Sequence, residues 1–244
     1  MNIEPNTYVA ITTESQTNGR GTNNRTWIGR KGNTFLTLAI PSNDLKIPLT
    51  LLPLQIGLIL VEQVHSMLIN TKEAVVNVKW PNDVLVNEKK IAGVLIESEQ
   101  DYDGNYYFLV GIGVNYRFAP MVDASGAQRG REATCIYDCV SSVKDNNDND
   151  IDNDDNDGVE EAKALGIKIA NDIKAWMELQ KSWDGAADSI VTRWENWADF
   201  GTKLTLRDEP GNEIVIPLGL EKDGRLRVKG QNGKERLLCF DYLL

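Results

Sequence analysis

Residues Val78 to Glu99 read "VKWPNDVLVNEKKIAGVLIESE". The alternation predicts a strand over Val76–Lys79, a turn at Pro81-Asn82-Asp83 and a second short strand over Val84–Val86. Asn87-Glu88-Lys89 then reads as a tight turn and Ile91–Ile96 as a third strand. A meander of this kind carries Lys79, Asp83 and Lys90 to the ends of neighbouring strands, where a rigid frame can aim them.

Upstream, "YVAITT" (Tyr8–Thr13) reads as a strand and the polar "ESQTNGRGTNNRTW" (Glu14–Trp27) as a loop, followed by the strand "TFLTLAI". Leu49 to Ile69 carries apolar residues at 52, 56, 59, 60, 64, 67 and 68, the spacing of an amphipathic helix. Downstream, "YYFLVGIGVNY" is a strand closing on Gly111 and Gly113, which leave room for close approach of a ligand or another backbone. Val159–Trp197 reads as largely helical. From Gly201, short strands separated by Glu-Pro-Gly-Asn, Lys-Asp-Gly and Gln-Asn-Gly turns predict a small antiparallel β module.

The net charge of -10 is local: Asp145–Glu161 holds nine carboxylates and no cation, which leaves about -1 for the rest of the chain. No basic face points to nucleic acid. The Asn/Asp tract is nearly devoid of apolar residues and is expected to be a disordered loop, placed at about 142–161. Asn153, Asp155, Asp157 and Gly158 imitate half a calcium loop, but Ala164 stands where a bidentate Glu is required. Cys135, Cys139 and Cys239 form an odd, sparse set that points to free thiols, a reducing compartment and a cytoplasmic location rather than to a disulfide framework or a zinc site. The apolar run inside Leu49–Val61 is broken by Pro53, Gln55 and Gly57, so no membrane span or membrane partner is expected. The opening residues lack the pattern of a signal peptide. Trp80-Pro81 reads as core packing, and His65, the single histidine, as a structural or surface residue of the helix.

Gly19-Arg20-Gly21 has neither the spacing of a phosphate loop nor that of a dinucleotide fingerprint. What gives it weight is its company: Arg25, Trp27, Arg30 and Lys31 on the same segment, and strands bearing Lys79, Lys90, Gly111 and Gly113. Taken in order, "ESQTNGRG", "RTW", "LPLQIGL", "KWPNDV", "KIAGVLIE", "VGIGVN" and a closing β module after "RWENW" resemble the catalytic domain of the biotin protein ligases. The resemblance covers nearly the whole chain apart from the acidic insert, and the pairing of "KWPND" with "KIAG" is its most specific part.

The resemblance implies an α/β (α+β) fold, with a mixed sheet flanked by helices over 1–198 and a small SH3-like module over 199–244. It implies ATP and biotin as substrates, Mg2+, and a biotin carboxyl carrier domain of a carboxylase as partner. The implied reaction activates biotin's carboxylate as biotinyl-5'-AMP and passes the acyl group to a carrier lysine, and fixed cations stabilise the charge gathered in both steps. By resemblance, Lys90 bridges biotin carboxylate and phosphate, and Arg20 is the loop cation, with Gly19 and Gly21 letting the loop fold over. Gln16, Gly93, Gly111 and Gly113 contact biotin; Arg25, Trp27, Lys79, Asn82 and Asn115 serve the nucleotide; Asp83 orients the incoming amine and accepts its proton.

Two departures stand out. The family carries an upstream strand and helix with a Ser-Thr-Asn type segment on biotin's ureido ring, whereas only "MNIEPNT" precedes "YVAITT"; either the chain is truncated or biotin is held more weakly. Thr22, Asn23 and Asn24 also stand where many members continue with basic residues, so faster escape of the adenylate is expected. With no helix-turn-helix pattern, a repressor role has no support. The rival readings are a lipoate-protein ligase and a catalytically inactive relative that only binds carrier or nucleotide.

Overall fold

A computed structural model describes residues 8–22, 25–71, 73–121, 131–141, 158–180, 186–206 and 213–239. Its centre is a six-stranded sheet of order β1-β4-β8-β7-β6-β5. The strands are β1 (Val9–Thr13), β4 (Thr34–Pro41), β5 (Val76–Lys79), β6 (Asp83–Val86), β7 (Lys89–Gln100) and β8 (Tyr106–Val114). The sheet expected to be mixed is antiparallel in each of these ladders; parallel pairing among the described residues is confined to the isolated bridges Val78–Ala198 and Lys90–Ala133.

Register sorts the side chains into two faces. One face carries the rows Val84-Ala92-Val114-Thr34, Val94-Ile112-Leu36-Thr12 and Ile96-Val110-Leu38-Ala10, and it forms the core with the helices. The other carries Lys79-Asp83-Gly93-Gly113-Phe35-Thr13, then Leu95-Gly111-Thr37-Ile11, then Glu97-Leu109-Ala39-Val9.

Helix α1 (Leu52–Leu68) differs from the amphipathic expectation, because every residue from Leu52 to Val61 is buried. It is wrapped by the sheet, by α3 (Val159–Gln180) and by α4 (Ala186–Trp197), so it is apolar nearly all round. Each buried Leu or Ile contributes roughly 1.5–3 kcal/mol. The helix is long and apolar enough to cross a membrane, yet 72% of that window is buried inside the protein, as in a core helix. Helix α3 comes close to β1 and β4 at Gly166, where a Cβ would sit 3.2 Å from Thr34 Cγ2.

Three local expectations change. The Glu14–Trp27 segment is not a loop throughout: β2 (Gln16–Arg20) pairs antiparallel with β3 (Thr26–Gly29), with a bulge between Gln16 and Gly19. A short helix, α2 (Ile136–Ser141), follows β8 in a stretch where no helix is predicted. The acidic insert ends earlier than 161, since Ala162 N–H already donates to Gly158 O and α3 begins at Val159; residues 142–157 lie outside the described set.

The β module holds β9 (Leu204–Leu206), β10 (Glu213–Leu220), β11 (Leu226–Gly230) and β12 (Glu235–Leu238) in the order β12-β11-β10-β9. Its own core is Val215, Leu226 and Val228, and Trp80, Phe200 and Leu220 pack against both this cluster and the main one. Trp80 Nε1 donates to Gly224 O at 3.0 Å and Thr50 Oγ1 donates to Asp223 O at 2.6 Å, so Trp80 is core packing and joins the two parts.

Candidate active site

The site lies on the face of the sheet away from the helices. Gly93 and Gly113 are directly paired across β7 and β8, which leaves a strip without side chains beside Asp83. The hairpin β2-β3 crosses this strip and sets the Trp27 indole into it. A Cβ on Gly113 would lie 2.5–2.7 Å from Trp27 ring atoms, and one on Gly93 would meet Trp27 Cζ3 at 3.3 Å and Lys90 Nζ at 2.9 Å. Close approach of the Trp27 ring favours glycine at Gly113, while at Gly93 the tightest contact is the movable end of Lys90. At Gly111, two residues along, the nearest atom to a Cβ is Leu95 O at 3.5 Å, so the strip opens there.

Lys90 reaches this face because of a bulge. Between Val84-Ala92 and Leu85-Lys90 the ladder skips Ile91, which turns its side chain wholly into the core. In an unbulged strand Lys90, three residues from Gly93, would point to the opposite face. Its backbone is also clamped, with N–H donating to Glu132 O at 2.8 Å and C=O accepting from Thr134 N–H at 3.0 Å. The turn before it uses Asn87 and Glu88 at φ 47 and 66, the conformation of a type I′ hairpin loop. Arg131 Nη1 steadies this turn by donating to Glu88 O at 2.9 Å.

Lys90 Nζ lies 2.6 Å from Asp83 Oδ1, with both side chains about one-fifth exposed (22% and 18%), and 5.2 Å from the Trp27 ring centroid. The pair is therefore shielded without being sealed. Such a lysine is a fixed cation for an anionic ligand, and Asp83 is a carboxylate placed to accept a proton beside it. Trp27 Nε1 is buried and finds no acceptor among the described residues.

The loop cation sits elsewhere. Arg20 Nη2 pairs with Glu97 Oε2 at 2.9 Å on the same face, four residues beyond Gly93. At about 3.4 Å per residue this is roughly 14 Å along β7 from the glycine pair. Arg25 folds back on its own loop, donating to Thr22 O at 3.0 Å and Thr22 Oγ1 at 2.6 Å, while Gly21 N–H donates to Arg25 O. Gln16 packs inside the hairpin, where its Oε1 would be 2.6 Å from a Cβ on Gly19.

Lys79 pairs in register with Asp83 but lines the cleft between the sheet and the β module, with Trp80, Glu88, Arg131 and Phe200. Asn82 and Asn115, expected at the nucleotide, use their amides within the fold: Asn82 Nδ2 donates to Val94 O at 2.6 Å and Asn115 Nδ2 to Thr134 O at 3.0 Å. Asn33, outside the predicted site, accepts at Oδ1 from the N–H groups of Tyr116, Arg117 and Phe118 and holds the segment leaving β8. Arg30 stacks on Phe118 at 3.8 Å, tying the hairpin's exit to that segment. The sequence alone assigns Asn33 no role, and Glu97 enters it only as the last residue of "KIAGVLIE", with no role assigned.

Cys135, Cys139 and Cys239 are free, and burial pushes the Cys135 thiol up to about 12. Cys135 is thus a neutral packing group at neutral pH. His65 is exposed and meets Trp197 edge-on at 5.2 Å.

Residues 2–115, which include the hairpin, α1 and strands β4 to β8, match the family "Biotin/lipoate A/B protein ligase". The protein is similar to the biotin--[acetyl-CoA-carboxylase] ligase of Paracoccus denitrificans, 36% identical over 112 residues that cover 46% of this chain and 45% of the relative. It is also similar to the bifunctional ligase/repressor BirA of Bacillus subtilis, 33% identical over 110 residues that cover 45% of this chain and 33% of the relative. The matched region therefore spans a third to under half of these relatives. The biotin protein ligase of Leishmania major, solved with biotin, superposes with a TM-score of 0.62 at 27% identity, covering 97% of this chain and 90% of that one. The Aquifex aeolicus biotin protein ligase shares the fold, with a TM-score of 0.67 at 23% identity, covering 94% and 84%. The biotin protein ligase catalytic fold thus extends over nearly the whole chain, the β module included.

Proposed function

We propose that this chain is an ATP-dependent biotin protein ligase that forms biotinyl-5'-AMP and transfers biotin to a lysine of a carboxylase carrier domain. The observation that carries the reading is the Lys90–Asp83 pair at 2.6 Å beside the Gly93/Gly113 strip. On that strip bare backbone lies next to a fixed cation, so a flat group can be seated there where the Trp27 ring gives way.

In the first step an oxygen of biotin's carboxylate attacks the α-phosphorus of ATP and pyrophosphate leaves. Lys90 stands between the two anions and offsets their repulsion, an interaction that strengthens as charge gathers on the phosphoryl oxygens. In the second step the carrier's amine attacks the acyl carbon, AMP departs and the amine loses a proton, which Asp83 accepts. The indole of Trp27, already against the strip, keeps water from the mixed anhydride. Arg20 supplies charge from the hairpin on the phosphate side.

Magnesium would enter with ATP and would offset the charge of its phosphates. Three free cysteines agree with a reducing, cytoplasmic setting.

The test is incubation of the purified chain with biotin, ATP, magnesium and a carrier domain, followed by mass spectrometry of adenylate and carrier. The expected result is both biotinyl-AMP and a carrier heavier by one biotinyl group. Absence of biotin-dependent adenylate, with lipoate forming one instead, would overturn the substrate assignment.

A further inference from the structure

Arg20 and Glu97 are 77 residues apart in sequence, yet the guanidinium donates to the carboxylate at 2.9 Å across the open end of the site. Glu97 lies on the ligand face of β7, in register with Leu109 and Ala39, and Glu97 is about one-third exposed while Arg20 is about two-thirds exposed. The loop cation is therefore engaged by an internal anion, at a site where the arriving ligand is itself anionic. No comparable tie holds Arg25, which bonds to its own loop.

We propose that Glu97 is a positioning residue that holds Arg20 and the β2-β3 hairpin in a waiting position and is displaced by the nucleotide's phosphates. The inference rests on the ligase reading above. Glu97 competes with phosphate for one guanidinium, so it weakens nucleotide binding and confines the hairpin to one register over β7 until the nucleotide arrives. An exposed ion pair of this kind shifts an equilibrium by about two- to five-fold, which sets the size of the effect. Because Arg20 is the only route by which Glu97 acts, the effect disappears when Arg20 is absent.

The experiment compares wild type, Glu97→Gln, Arg20→Ala and the double variant for biotin-dependent adenylate formation, with hydrogen exchange of the Gly19–Thr22 amides measured without ligand. Glu97→Gln is expected to lower KM for ATP about two- to five-fold with kcat nearly unchanged, to speed exchange in Gly19–Thr22, and to do nothing further in the Arg20→Ala background. An unchanged or raised KM for ATP in Glu97→Gln, or the same shift persisting without Arg20, overturns the proposal. If the wild type forms no adenylate, the ligase reading fails separately, and unchanged amide exchange in Glu97→Gln then overturns the tie on its own.

Discussion

The two ends of β7 are built differently. At Lys90 the strand is bulged, its backbone is clamped on the far side by residues 132–134, and the ammonium is held between Asp83 and Trp27. At Glu97 the strand is regular and its partner, Arg20, is two-thirds exposed on a hairpin. In the proposed reaction the group that serves both steps is fixed by packing, whereas the group proposed to admit and release a ligand is tied by one solvent-weakened ion pair. Preorganisation and access are thus divided between the ends of a single strand.

The most severe disruption of this contrast is at the fixed end. Lys90→Ala is expected to lower adenylate formation by about 10²-fold or more. The thermal midpoint should stay within a few degrees, because the Lys90–Asp83 pair keeps contact with solvent, which can take the place of the ammonium. Loss of activity together with a large fall in the midpoint would show that Lys90 is structural. Asp83→Asn should act on the second step, slowing transfer of preformed adenylate to carrier by roughly 10- to 100-fold in single-turnover experiments. Equal loss in both steps would assign Asp83 to holding Lys90 rather than to proton transfer.

The glycine strip gives an intermediate effect. Gly113→Ala forces the Trp27 ring to move, because its Cβ would fall within 2.7 Å of three ring atoms, whereas Gly111→Ala meets nothing closer than 3.5 Å. The first is expected to change Trp27 packing in the ligand-free protein, seen in intrinsic fluorescence. The second should leave the empty fold intact and weaken ligand binding alone, measured by titration. At the open end the effect is smaller: Thr22→Arg is expected to slow escape of the adenylate a few-fold, and equal dissociation rates would sink that idea. The smallest effect concerns thiols. Cys239, exposed, should react with a thiol reagent at neutral pH well before Cys135, whose thiol is buried and raised to about 12.

Much of the catalytic frame was legible because its signals are local. The alternation around Val84–Val86 and Ile91–Ile96 marks strands, and Asn87-Glu88 marks a hairpin turn whatever the rest of the chain does. The β2-β3 hairpin was not legible, because Gln16–Arg20 has no apolar alternation and its pairing depends on bare backbone at Gly19 and Gly29. The same limit hid the second use of Asn82 and Asn115. Their amides fit a polar pocket on chemistry alone, but their partners, Val94 O and Thr134 O, are set by tertiary packing. Glu97 sits in an ordinary strand, and only folding brings Arg20 to it. Helix α2, six residues long, is too short for a periodic signal.

Trp80 belongs to two cores at once, together with Phe200 and Leu220, and among the described residues the β module's own buried cluster is Val215, Leu226 and Val228, with Leu204, Leu206 and Leu238 partly buried against it. So small a buried set offsets little of the ordering entropy of four strands, and the module draws on the sheet for its shape. Stress applied to the module is therefore felt at Trp80, three residues before Asp83, and the chain should melt as one cooperative unit with no plateau between its parts.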